Sequence, residues 1–153
     1  MLWLVKAEVG AFIGKRGCNV KSISKKHKCK ILVVRTRGPY SKIEVLPRVN
    51  ENSQVQAAEA ACRMLIEKII SDRKTRLMSA YNMSDQSQSV TIPNTKSAEF
   101  FGPEMRHLNS LKSQHQVHTL VLQNSADTMD ALLWVDGENK NIVRFLSAVS
   151  ELV

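Results

Sequence analysis

The sequence predicts an α+β fold, built twice over from the same short elements. Three observations carry this. The apolar runs and breaks fall in the order β-α-α-β-β-α, and then do so again. The chain repeats itself at a shift of 88 residues, with no gap from first strand to last helix. A glycine-flanked basic pair, Gly14-Lys15-Arg16-Gly17, sits between an apolar half-turn (Phe12, Ile13) and a short amphipathic helix.

The first strand is Leu2–Val5. A brief helix, Val9–Ile13, ends at Gly14. A second helix runs over Cys18–His27, with Val20 and Ile23 inward and Lys21, Lys25 and Lys26 outward. Cys29–Arg35 is an apolar run that reads as the central strand. Arg37-Gly38-Pro39-Tyr40 is rich in turn formers. Lys42–Val49 is the third strand, where Pro47 suggests an edge position. Ser53-Gln54-Val55-Gln56 has capping-box spacing and opens a helix to about Asp72. Its apolar stripe is Val55, Ala58, Ala61, Cys62, Leu65 and Ile69. Residues 74–88 are polar and serine-rich, and read as a linker or as an extension of that helix.

The second half repeats the order. A strand lies near Val90–Pro93, helices over Ala98–Phe101 and Pro103–Gln114, and a strand over Val117–Gln123. The loop Asn124–Asp130 precedes a strand at Ala131–Val135. A helix capped by Asp136 then runs from about Gly137. The domains are therefore residues 1–73, a joining segment 74–88, and residues 89–153. A first strand at Met1 and an end inside the last helix suggest a piece of a longer protein.

The repeat keeps the core and loses the charge. Leu4 aligns with Ile92, Phe12-Ile13-Gly14 with Phe100-Phe101-Gly102, and Leu32-Val33-Val34 with Leu120-Val121-Leu122. Lys15-Arg16-Gly17 becomes Pro103-Glu104-Met105, and Lys21 becomes Asn109. Residues 1–76 hold 17 Lys/Arg against 6 Asp/Glu, a net +11, whereas residues 77–153 hold 5 against 8, a net −3. A polyanion is drawn to the first half and hardly to the second.

Several classes are excluded. The 153 residues contain no apolar run of membrane-span length. Three cysteines without C-x-x-C spacing fit a reduced, intracellular chain. Gly10…Gly14-Lys15 misses the phosphate-binding P-loop: the glycine gap is one residue short, and Arg16 stands where a hydroxyl is needed. His115 and His118 straddle an element boundary with no cysteine near, so no metal is expected. No nucleophile–base set stands out, so no catalysis and no cofactor are expected. Two glycines let another backbone approach closely, and the following helix aims its free N–H groups at the same place. With Lys15 and Arg16 beside it, that is a phosphate cradle.

Ile13-Gly14-Lys15-Arg16-Gly17 followed by Val20-Lys21-Ser22-Ile23 resembles the KH domain, with its I-G-K-x-G loop and I-K-x-I helix. The resemblance covers residues 2 to about 72. It implies two type I KH folds, each a three-stranded antiparallel sheet covered on one face by three helices, the second with a degenerate loop. Alternation of intact and degenerate units resembles the Bicaudal-C type of translational regulator. The resemblance further implies that the loop clamps the backbone of single-stranded RNA. Bases would lie in an aliphatic groove lined by Ile13, Val20, Ile31 and Leu32. Phosphates would sit on Gly14, Lys15, Arg16, Gly17 and Lys21, with Arg35 guiding flanking nucleotides and Lys42 adding a polar contact. Single-stranded DNA stays open, since the loop reads backbone. Residues 89–153 would brace the first unit or bind protein, and an mRNA regulator would sit in the cytoplasm or the nucleus. The alternative is a protein-interaction scaffold of KH-like folds without nucleic acid.

Overall fold

A computed structural model describes residues 1–49 and 52–153. The chain divides into two compact units, the first being Met1–Arg73 with Ser125–Met129, the second Lys74–Asn124 with Asp130–Val153. Both have the α+β architecture, a three-stranded antiparallel sheet with helices against one face. No helix among the described residues is long and apolar enough to cross a membrane.

In the first unit the elements are β1 (Leu2–Val5), α1 (Val9–Ile13), α2 (Cys18–His27), β2 (Cys29–Arg35), β3 (Tyr40–Pro47) and the greater part of α3 (Val55–Ala80). The strand order is β1-β3-β2. Leu4 lies opposite Ser41, and Val33 opposite Ile43. This corrects the sequence reading: β3 is central, and β2 lies at an edge. The apolar run of β2 is not a sign of burial on both sides. Ile31 and Val33 pack towards the core, while Leu32 and Val34 alternate onto the outer face. Pro47, expected at an edge, closes the central strand instead. It is tolerated because β1 pairs only with Tyr40–Ile43, so β2 alone flanks Pro47.

Leu2, Leu4, Phe12, Ile43, Cys62 and Ile66 form the first core. Burial, then the nearby Glu59 carboxylate and Cys29, push the Cys62 thiol up to about 11, so it stays a neutral core group. Ser53 does not cap α3. It accepts a hydrogen bond from the Arg48 N–H (3.0 Å) and donates to the Lys28 carbonyl (2.8 Å), and the first turn of α3 bonds instead to the Gln54 carbonyl. The sequence also gave no notice of Ser125–Met129. Ala126 is fully buried in the first core, its carbonyl accepts from the Trp3 N–H (2.8 Å), and its N–H donates to Glu67 Oε1 (2.9 Å).

Glu8 is almost wholly buried beside α1 and meets Arg73 of α3 at 2.7 Å. Removing Arg73 takes a short ion pair away from a nearly buried carboxylate. Arg73→Ala is expected to lower stability by about 1–3 kcal/mol, read by urea unfolding, with Glu8→Gln restoring part of it in the double variant.

In the second unit the elements are β4 (Gln88–Ile92), α4 (Asn94–Phe101), α5 (Arg106–His115), β5 (His118–Gln123), β6 (Ala131–Asp136) and α6 (Asn139–Leu152). The sheet order is β4-β6-β5. Ile92, Phe100, Leu108, Leu133, Ile142 and Phe145 lie in its core. About half of the serine-rich stretch lies in regular elements: α3 continues to Ala80 and β4 begins at Gln88.

Asp136 is not the cap of α6, whose N-cap is Glu138. Its carboxylate instead accepts from the Ser84 N–H (2.7 Å), the Ser84 hydroxyl (2.6 Å) and the Gly137 N–H (2.9 Å). Burial works to raise its pKa, but the Ser84 and Gly137 bonds prevail and hold it below the usual carboxylate range. A depressed folded pKa contributes stability above the unfolded value of about 3.9, lost as pH falls through the folded value. The melting midpoint is therefore expected to drop more steeply below about pH 4 in the parent chain than in Asp136→Asn.

Candidate nucleic-acid interface

Helix α1 ends because Gly14 turns the chain out of it, at φ 82° and ψ 170°. Arg16 (φ 56°) and Gly17 (φ 78°) are left-handed, and α2 starts at Cys18. The loop is pinned from within. Asn19, in the first turn of α2, donates its side-chain amide to the Ala11 carbonyl at 3.1 Å. That amide lies against Gly14, where a Cβ would stand 2.7 Å from Asn19 Cγ and 2.9 Å from the Asn19 backbone nitrogen. Gly14 is thus a packing requirement of the protein itself.

Gly17 is different. A Cβ there would meet only the flexible Lys21 side chain, at 3.5 Å or more. The space above Gly17 is open. Lys15, Arg16 and Lys21 are exposed around it, and no carboxylate among the described residues pairs with them. Ten-residue α2 presents its N-terminal N–H groups at the same place.

The second unit is a control within the same chain. Gly102 (φ 72°), Glu104 (φ 51°) and Met105 (φ 62°) repeat the conformations of Gly14, Arg16 and Gly17. His107 takes the place of Asn19, hydrogen-bonding through Nδ1 to the Glu99 carbonyl at 2.9 Å and crowding Gly102. The backbone shape survives, while the cations and the second glycine do not. A left-handed loop here needs the first glycine but tolerates methionine at the last position.

Residues 2–67 match the KH domain family. No curated protein matches the chain. Among solved structures, a chain of the a/eIF2alpha-aDim2p-rRNA complex from Pyrococcus horikoshii OT3 is 16% identical, with 98% of this chain and 82% of that chain covered at a TM-score of 0.35. Dim2p from the same organism is 15% identical, with 98% and 88% covered at a TM-score of 0.34.

Within the KH match, a cavity of about 510 Å³ opens between α1 and the sheet. It is lined by Lys6, Val9, Ile13, Val33, Arg35 and Ser41. The cavity brings Ile13 and Arg35 together. Val20 and Ile31 pack on the core and do not line this cavity. Leu32 and Lys42 alternate onto the outer face of the sheet, and Lys42 is held by Glu44 at 2.7 Å. The sequence reading missed Lys6, Val9, Val33 and Ser41. Period-two alternation back from Arg35 identifies Val33, and Ser41 lies opposite Arg35 in the register. It also missed Asn19, although the 88-residue repeat sets Asn19 against His107. Because β2 is an edge strand, its outer side offers main-chain N–H and C=O groups beside the cavity.

Proposed function

We propose that the first unit binds single-stranded RNA without catalysis, through a sugar–phosphate seat at Gly14–Gly17 and bases laid along the Ile13–Val33–Arg35 cavity. One observation carries the reading: the steric freedom above Gly17, ringed by Lys15, Arg16 and Lys21, in a loop whose other glycine is consumed by internal packing. The KH match supports it, since that family's GXXG loop clamps single-stranded backbone. Free main-chain groups on the outer edge of β2 suit the Watson–Crick edges of bases in the cavity. Leu32 and Lys42 fall outside this proposal, because they face away from the cavity.

The second unit, with Glu104 and Met105 in its loop, is proposed as a brace or a protein-binding unit within a post-transcriptional mRNA regulator. The test is fluorescence anisotropy of the whole chain with short unstructured RNAs and DNAs. Affinity should fall as salt rises, by about 0.7 log units per log unit of salt for each phosphate contact. Equal affinity in the double variant Lys15→Asp with Arg16→Asp would sink the reading. Equal binding of RNA and DNA would leave the seat but remove the 2′-hydroxyl preference.

A further inference from the structure

The outer face of a KH-type sheet, away from its helices, is treated differently by the two units. In the second unit Leu120 lies opposite Trp134 and Leu122 opposite Leu132, on the side turned away from the core residues Leu133 and Val135. Leu120 and Leu122 are nonetheless only 8% and 5% exposed. The last stretch of α3 belongs to this unit, and its Lys74 ammonium sits 4.5 Å from the Trp134 ring centroid. Lys74, Leu77 and Met78, spaced i, i+3 and i+4, are the half-buried side of that stretch, and Thr75, Arg76 and Ser79 are its exposed side. The half-buried side of this cation-led stretch thus meets the outer face at Trp134.

In the first unit the corresponding strand positions are Leu32 and Val34, joined by Leu46. Val34 is 36% and Leu46 40% exposed. The connection before β6 is two residues longer than that before β3, so the 88-residue repeat slips to 90 in these strands; Glu44 therefore stands in the register place of Trp134, opposite Leu32, and shares its charge with Lys42. The same apolar pair is present but more exposed, and the position beneath the leading cation has become a carboxylate.

The geometry points to the outer face of the first unit's sheet as a docking site for an amphipathic basic helix of a partner protein. The helix would set two apolar side chains on Leu32, Val34 and Leu46, and a lysine or arginine at Glu44. The surface is separate from the nucleotide cavity, which opens on the other side of the same sheet, so the inference stands independently of RNA binding.

The experiment uses the whole chain, isotope-labelled, and as probe a peptide of residues 72–83 stapled across the exposed positions 75 and 79 to hold it helical. Saturable amide shifts centred on Leu32, Val34 and Leu46 are expected, with Val34→Lys weakening binding at least tenfold and leaving the melting midpoint unchanged. Because Val34 is already exposed, that variant tests the surface and not the fold. Absence of a saturable shift up to millimolar peptide, shifts confined to Leu120 and Trp134, or undiminished binding by Val34→Lys would each overturn the proposal.

Discussion

Giving the first unit the loop of the second, through Lys15→Pro, Arg16→Glu and Gly17→Met together, is expected to abolish RNA binding in a chain that still folds. The two loops share their left-handed backbone at the third and fourth positions, and each first glycine precedes its partner residue with ψ near 170–177°. That extended ψ is what a following proline requires. Methionine at position 17 meets no wall except Lys21, so its cost is the left-handed conformation itself, about 1–2 kcal/mol. Against that modest cost, two cations vanish and a carboxylate takes their place. The affinity loss should exceed about 100-fold at low salt, and the slope of log affinity against log salt should flatten by roughly 1.4 for two lost phosphate contacts. Anisotropy across a salt series, with thermal melting as the control, checks both halves. A transplanted loop that binds as before would show that the charge at this turn is incidental.

The second expected result separates the two glycines by what each one costs. Gly14→Ala should destabilise the chain by about 3 kcal/mol, from a φ/ψ region open essentially to glycine alone plus a clash with the Asn19 side chain and backbone. Gly17→Ala should cost only about 1–2 kcal/mol, the left-handed conformation alone, because no clash is added to it. The order inverts for RNA: the Gly17 variant, though folded, should lose affinity through the methyl group that now stands between backbone and phosphate. Urea unfolding and anisotropy on both variants decide it. Equal stability losses would mean that the Asn19 packing is not what fixes Gly14. Gly102→Ala should behave as Gly14→Ala does, since His107 presses on it in the same way.

The elements themselves were legible from the chain because the repeat doubles every signal: an apolar position in one half is checked by its counterpart in the other. The loop was legible because residue type and position both matter there. What escaped the sequence depends on which strands become neighbours. An apolar run such as Cys29–Arg35 has the same composition whether it is buried on both faces or, as here, apolar on an outer face, so composition alone predicts a central strand where the structure has an edge. Alternation is visible in a sequence but its phase is not, and one step of phase moves Leu32 from the cavity to the opposite face. Caps failed for a related reason. Ser53 and Asp136 have the right side chains at the right spacing, yet nearer donors and acceptors, at Arg48, Lys28 and Ser84, claim them first. Glu8 and Arg73 are 65 residues apart, and nothing local announces their pairing.

The Asn19 bond to Ala11 has a thermodynamic corollary. Because it fixes the turn while the protein folds, the ordering entropy of that turn has been settled before any strand arrives. On the proposed function, the entropy still to be lost on association resides in the incoming RNA. Stiffer, better-stacked oligonucleotides of the same length should dock more tightly than floppy ones, and calorimetry should register the difference chiefly as a smaller entropic penalty.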